Sequence, residues 1–468
     1  MFDIQKLYDH LGGDSGPGVG YAYALTSGNS WDKMLNTPNL WGHNPAVTDY
    51  VPVAQNLTQE IADLIASATQ YVDISTLYHL PDGYFLQAIS QGVKRARAAG
   101  NKIILRFICG LQIPYHNPNV EEELRKMVAD LDAPTDVPVY VGAMQLSIDS
   151  TCHAKLIVAD GKASICGGHN MWSVDYTQVA PVHDLSMQLS GPAVGTAQAF
   201  LNRMWTVLTT GKPWKFYAFK SYEGTFEKGY IQNLNPDKPV PVGSTQVLAV
   251  ARMALLESDP KKYDPSQNAK IFGVGMCESH IRLTTPWMGG SVGGVLDEEF
   301  VIALCQKILQ KVQVSIIMSE HGGTTSNKDI YSGESIEKTA AAFVKAISKL
   351  QHMSREALID LLSNCLHIAP IRIYPKQPSD PKAESWKWND NGNKIEPANH
   401  AKVYIFDDQA FYCGSHNAYK ILIDPGLVEF GYIYSGNQET TKFINEYWNQ
   451  GWQYSKDFEF KDWSRIVP

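Results

Sequence analysis

The chain has 468 residues, 44% of them hydrophobic and 19% charged, an ordinary soluble composition at a length that suits two lobes better than one simple core. A formal net charge of −8 argues against a general nucleic-acid binder and against electrostatic docking on anionic membranes, and favours a zwitterionic or neutral partner. No run of 18 apolar residues marks a transmembrane helix, and the opening MFDIQKLYDHLGG lacks the basic and apolar regions of a signal peptide.

In chain order, Asn56 is expected to cap a helix with Gln59 behind it, and Ile61, Leu64, Ile65 and Ala68 follow at helical spacing. YVDISTL (71–77) alternates as a strand, a helix is predicted over 83–99 with Gly100 as its stop, and KIILRFICG (102–110) is a second strand. A strand near 138–145 leads to another at 153–159. The second half repeats this order. A helix near 268–278 precedes HIRLTTP (280–286), and a helix near 297–311 precedes VQVSIIMS (312–319). Helices over 335–365 then lead to PIRIYP (370–375) and a strand at 400–406. Strands alternating with helices imply an α/β fold. The expectation is two similar α/β/α sandwich lobes with mixed sheets, fused as a pseudo-two-fold dimer, with boundaries at 1–211, a packed linker at 212–265, and 266–468. The seven cysteines form no C-x-x-C pair, and Cys166 and Cys413, inside apolar strands, read as buried thiols.

One short text occurs in both halves. Residues 153–170 read HAKLIVADGKASICGGHN and residues 400–417 read HAKVYIFDDQAFYCGSHN. His153 and His400, Lys155 and Lys402, Asp160 and Asp407, Gly167 and Gly414, and Asn170 and Asn417 all stand 247 positions apart (400 less 153). A polar pattern carried twice in register is what two copies meeting around one centre require. Residues two apart on a strand share a face, so each His and its Lys point the same way. Gly167, Gly168 and Gly414 allow close backbone approach, and Asn170 and Asn417 return an amide to the same place. Ser415 stands where the first copy has Gly168. Two His, two Lys and two Asn around one pocket suit a phosphodiester: one His attacks phosphorus, the other protonates the leaving oxygen, and Lys and Asn hold the charge. No metal or cofactor is implied. A nucleophilic His needs a carboxylate on its other nitrogen. Asp184 follows His153 by 31 residues and Glu429 follows His400 by 29, so each is expected to back the His of its own half. Asp160 and Asp407, at strand ends where a turn is due, are expected to be structural.

Aromatic residues gather near the motifs: Trp172, Tyr176, Tyr331, Trp386, Trp388 and Tyr419. They suit an apolar or cationic headgroup site, since aromatic faces bind quaternary ammonium. Trp386 and Trp388 lie on a Pro-, Asp- and Asn-rich stretch (375–397) before His400 and either cover the site or pack over the core. His153 instead follows a short connection through Ser147, Ile148 and Asp149.

The paired His-x-Lys-x4-Asp motifs, each followed by Gly-Gly or Gly-Ser and x-Asn, resemble the phospholipase D superfamily. TPNLWG (37–42), VDISTL (72–77), GGHNMWSVDY (167–176), SGPAVG (190–195), YCGSHNAY (412–419) and FGYI (430–433) are similar to the bacterial, Streptomyces-type phospholipase D group. The resemblance implies a metal-free hydrolase that cleaves phosphatidylcholine to phosphatidic acid and choline through a phosphohistidine, with transphosphatidylation to small alcohols. It implies His153 as nucleophile, His400 as acid, and a headgroup pocket at Trp172, Tyr176 and Tyr331. It also implies a secreted monomer working at a membrane or micelle surface without nucleic acid, although no Cys stands near TPNLWG where secreted members carry a disulfide; a cytoplasmic location is the alternative. The competing readings are a phosphatidyltransferase making phosphatidylserine or cardiolipin, a nuclease of the same superfamily, and a catalytically dead lipid-binding module.

Overall fold

The computed structural model describes residues 2–44, 51–111, 119–146, 151–177, 180–210, 215–231, 233–235, 238–253, 264–289, 294–320, 331, 334–375, 387–390, 392–421 and 427–468, with the side chains of 51–55 left aside. The strands of the first half are β1 (Tyr23–Thr37), β2 (Tyr71–Leu77), β3 (Ile104–Gly110), β4 (Val139–Gln145), β5 (Thr151–Cys152), β6 (Lys155–Ala159), β7 (Ala163–Gly167), β8 (Asp184–Ser190), β9 (Lys215–Tyr222) and β10 (Thr225–Lys228), of which the apolar runs β2 to β8 are buried on both faces. Those of the second half are β11 (Thr245–Arg252), β12 (His280–Thr284), β13 (Gly294–Leu296), β14 (Gln313–Met318), β15 (Leu366–Pro370), β16 (Trp388–Asp390), β17 (Asn393–Ile395), β18 (Val403–Phe406), β19 (Ala410–Gly414), β20 (Tyr419–Ile421) and β21 (Leu427–Ser435).

The pairings repeat. In the first half β2, β3 and β4 run parallel, and β6, β7 and β8 add antiparallel on the other side of β2. In the second half β12, β14 and β15 run parallel, and β18, β19 and β21 add in the same way. The expected α/β class and duplicated lobe are therefore present. The motif aspartates have the same job in each copy. Asp160, at φ +51°, accepts from the N–H groups of Thr69, Gln70 and Tyr71 at 2.8 to 2.9 Å, tying down the start of β2. Asp407, at φ +50°, accepts from Glu278, Ser279 and His280 at 2.9 to 3.2 Å, tying down β12.

Four features of the chain depart from expectation. Residues 2–29 lie with the second half: Phe2, Ile4, Leu7 and Tyr8 join its core, and Tyr23–Asn29 of β1 pairs with β11 while Ser30–Thr37 pairs with β8. Residues 212–265 supply strands to both sheets, since β9 extends the first along β4 and β11 lies against β21 in the second. Asn56 does not cap; the helix runs Val51–Ala66, with Pro52 in its first turn, where the missing N–H costs nothing. The strand placed at 370–375 is instead β15, Leu366–Pro370, which leaves the helix Arg355–Cys365 without a connecting loop. All seven cysteines are buried and unbridged.

Outer helices cover each sheet, and a third core joins them. Leu156, Val158, Cys166, Leu185 and Met187 of the first half interlock there with Val403, Ile405, Phe411, Cys413 and Phe430 of the second. Burial of such surface, at about 25 cal/mol per Å², is what holds the two motif strands together. Among the described residues no helix is long and apolar enough to cross a membrane.

Candidate active site

The two motifs open β6 and β18 at the shared core, and the backbone just before each one crosses to the opposite half. β5 pairs in parallel with the start of β21, and the His153 N–H donates to the Val428 carbonyl at 2.8 Å. In the equivalent contact, His183 pairs with Asn399 and the His400 N–H donates to the His183 carbonyl at 2.7 Å. Each histidine thus hangs on the residue that precedes a carboxylate of the other half. Glu429 follows Val428, and its two oxygens lie 3.0 and 2.9 Å from His153 Nδ1. Asp184 follows His183, and its Oδ2 lies 2.8 Å from His400 Nδ1. This overturns the expectation that each carboxylate backs its own half's histidine: the pairs are exchanged. The reason is the symmetry of an isologous contact, in which residue i of one unit meets j of the other and j meets i.

The charges follow from this geometry. Burial pushes His153 down to about 4 against the pull of Glu429, and pushes His400 down to about 3, with Lys402 adding to the effect and Asp184 opposing it. Burial acts to raise the Asp184 carboxyl, but His169, His400 and Lys402 hold it below the usual carboxylate range. Glu429 is held low in the same way by His153, Lys155 and Ser415. An ionised carboxylate only accepts, so both imidazoles carry their proton on Nδ1 and keep the Nε2 lone pair free at neutral pH.

Lys155 Nζ donates to the His153 carbonyl at 2.7 Å, and Lys402 Nζ donates to the His400 carbonyl. Burial lowers Lys155 to about 8 and Lys402 well below its ordinary value, each opposed by Asp184 and Glu429. Two buried ammonium groups in one place favour an anion between them. Asn170 and Asn417 are also buried, and among the described residues neither amide oxygen has a hydrogen-bond partner. Their terminal torsion is soft, so each amide can turn an N–H toward an incoming oxygen. Among the described residues no group of three or more His, Cys, Asp or Glu side chains is placed to hold a metal.

The aromatic residues divide. Tyr176 is fully buried, and its hydroxyl donates to Asp184 Oδ2 at 2.9 Å. Tyr331 stands edge-on to His400 with centroids 4.9 Å apart and donates to Asp175 at 2.7 Å. Trp172 donates from Nε1 to the His79 carbonyl at 2.8 Å. Tyr419 stacks on Trp287 at 4.7 Å. Trp388 is 1% exposed and packs in a small cluster with Ala180, Ile373 and Ile395, so the core reading holds for it and it presents no surface to grip lipid. Trp386 and the connection Ser147, Ile148 and Asp149 lie outside the described residues.

Pattern reading singles out Ser415 and the glycines without their contacts, and passes over three supporting histidines, His169, His183 and His416. Ser415 Oγ donates to Glu429 Oε2 at 2.5 Å. A Cβ at its counterpart Gly168 stands 2.0 Å from Asp184 Oδ1, so only glycine fits there. Gly167 and Gly414 are equally tight, against Leu185 O at 2.3 Å and Gly431 Cα at 2.6 Å. His169 bonds Ser186 through Nδ1 and Thr37 through Nε2, both at 2.8 Å, while His416 bonds Ser266 at 2.7 Å. The 247-residue spacing of His169 and His416 is the signal that marks them. His183 donates from Nδ1 to the Thr37 carbonyl at 3.0 Å, leaving Nε2 for the Tyr447 hydroxyl at 3.0 Å.

Comparison with known proteins finds relatives over most of the chain. Residues 61–190 match the family model described as cardiolipin synthase, PLD-like domain. A phospholipase D from Streptomyces antibioticus is 27% identical over 500 residues, covering 95% of this chain and 86% of its own. The phosphatidylserine synthase structure from Haemophilus influenzae Rd KW20 superposes with a TM-score of 0.57 at 10% identity, covering 100% of this chain and 94% of its own, which establishes likeness of fold. With two His-x-Lys copies facing each other across a duplicated sheet, and with these relatives, the chain is similar to the phospholipase D superfamily.

Proposed function

We propose that the protein is a phospholipase D that hydrolyses phosphatidylcholine to phosphatidic acid and choline and transfers the phosphatidyl group to small alcohols. The observation that carries this reading is the exchanged pair of buried His–carboxylate contacts, with both Nε2 lone pairs free and two lysines beside them. In the first step His153 Nε2 attacks phosphorus, a P–N bond forms, and the P–O bond to choline breaks as His400 Nε2–H protonates the leaving oxygen. His400 is neutral in the empty site. The anionic diester between Lys155 and Lys402 favours its protonation, as an opposite charge does. In the second step His400 takes a proton from water or an alcohol, whose oxygen attacks phosphorus and breaks the P–N bond. Glu429 and Asp184 hold the Nδ1–H tautomer throughout.

Choline release from phosphatidylcholine micelles, with ethanol and with EDTA, tests this. Choline release, phosphatidylethanol in the presence of ethanol, and full activity in EDTA are expected. No choline release by the folded protein overturns the reading. Phosphatidyl transfer to serine or glycerol without hydrolysis favours the phosphatidyltransferase alternative.

A further inference from the structure

The repeat is faithful in His, Lys and Asn but not in what stands behind the two carboxylates. Each carboxylate receives one hydroxyl, and the two hydroxyls come from positions that are not repeat mates. Behind Glu429 it is Ser415; behind Asp184 it is Tyr176, six residues beyond Asn170 on the short helix Ser173–Tyr176. Serine cannot stand at 168, because its Cβ meets Asp184 Oδ1, so the hydroxyl there has to arrive from farther away.

Both hydroxyls are oriented by the backbone. The Ser415 oxygen accepts the Phe430 N–H at 3.1 Å, which turns its own proton toward Glu429. The Tyr176 oxygen accepts the Asn170 N–H at 3.3 Å, which turns its proton toward Asp184. The Tyr176 ring is held edge-on by His169 and Phe85, with centroids at 4.9 and 6.1 Å, and its oxygen lies 3.4 Å from His400 Nδ1.

We propose that Tyr176 and Ser415 are positioning residues, Tyr176 acting on His400 through Asp184 and Ser415 acting on His153 through Glu429. A hydroxyl donated to a carboxylate spreads its charge, weakens its hold on the imidazole Nδ1–H, and so lowers the basicity of Nε2. The other charged or titratable groups acting on His153 are Lys155 and Lys402, with His416 nearby. Those acting on His400 are Lys402 and Lys155, with the Tyr331 ring against it. Tyr176 thereby changes from a headgroup contact to a member of a Tyr–Asp–His chain. The catalytic roles of the two histidines rest on the phosphodiesterase reading above; the two chains of hydrogen bonds do not.

The test uses the full-length chain with Tyr176→Phe, Ser415→Ala and Ser415→Thr. Proton and nitrogen NMR of the imidazole Nδ1–H groups at neutral pH reads the hydrogen bond directly and needs no turnover. Tyr176→Phe is expected to move the His400 Nδ1–H resonance downfield and leave that of His153 in place. Ser415→Ala is expected to do the reverse, and Ser415→Thr, which keeps the hydroxyl, to restore it. In choline release each hydroxyl deletion is expected to lower kcat about tenfold, the scale of one hydrogen bond to a charged group, with KM little changed. Unmoved resonances, or each variant moving the wrong histidine, overturn the proposal. So does a Tyr176→Phe variant that raises KM at unchanged kcat with His400 unmoved, which makes Tyr176 a headgroup contact. Resonances that move as expected in a protein that releases no choline uphold the positioning and refute the phosphodiesterase reading instead.

Discussion

The half carrying His153 and the half carrying His400 share a strand order, a histidine–lysine pair and an aspartate that caps the equivalent strand start, yet they are supported differently. His153 faces a glutamate that meets its Nδ1 with both oxygens and is braced by Ser415. His400 faces a shorter aspartate that uses one oxygen, with Tyr176 on that oxygen and the Leu185 N–H on the other at 2.8 Å. Farther back, His169 is bonded through both ring nitrogens while the Nε2 of its mate His416 has no partner among the described residues. The difference teaches which parts a two-fold arrangement holds constant. The backbone contacts that exchange the carboxylates are reciprocal, so a change in one must suit both. The hydroxyls behind them serve one histidine each and are free to come from different places.

The comparison breaks most severely at the histidines. His153→Ala and His400→Ala are each expected to lower choline release by at least about 10³-fold with the fold intact, as removal of a nucleophile or its acid does. Rapid quench and peptide mapping should find phosphate on the His153 peptide. Phosphate on the His400 peptide alone reverses the roles and leaves the two-histidine mechanism standing.

Exchange of the carboxylates gives the next test. Glu429→Gln and Asp184→Asn are each expected to cost about 10²- to 10⁴-fold, by loss of the tautomer. A p-nitrophenyl phosphodiester, whose leaving group needs no proton, should largely rescue formation of the phosphoenzyme in Asp184→Asn and leave Glu429→Gln impaired. Rescue of Glu429→Gln instead would show that the carboxylates serve the opposite steps.

Where the halves are alike, the effect should fall on stability. Asp160→Ala and Asp407→Ala each strip a buried carboxylate from three backbone N–H donors, and a loss of about 2–4 kcal/mol is expected from each, read as a drop in urea midpoint. Activity of the protein that remains folded should be near normal. A large loss of kcat at unchanged stability would place these aspartates in the chemistry.

The smallest effect is in pH. His153, His169 and His183 are lowered to about 4 and His400 to about 3, chiefly by burial, so the folded chain resists protons that the unfolded chain accepts near 6.5. Stability rises with pH wherever the unfolded state binds more protons. It is therefore expected to be full above about pH 7 and to fall progressively as the pH drops from there toward about 4. A thermal midpoint that does not change from pH 7 to pH 5 contradicts this burial.

Much of the fold was legible because its signals are local. YVDISTL became β2 with the predicted bounds, the helix over 83–99 appears as Gly83–Ala98 with Gly100 at φ +87° just past it, and the duplicated motif marked the six central side chains. Alternation and helical spacing act over a few residues, so the sequence alone carries them. Trp388 could be read either way from composition, and only the walls of Ile373 and Ile395 around it decided.

What the sequence determined by itself was therefore the class of fold, the doubling and the set of side chains that meet at the centre, since each is written in short-range pattern or in a fixed 247-residue offset. The tertiary structure decided who meets whom. Glu429 reaches His153 across 276 positions and Asp184 reaches His400 across 216, and residues 2–29 cross to the far core. No local signal encodes such contacts. They follow from packing two like sheets face to face, which hands each strand end to the opposite lobe.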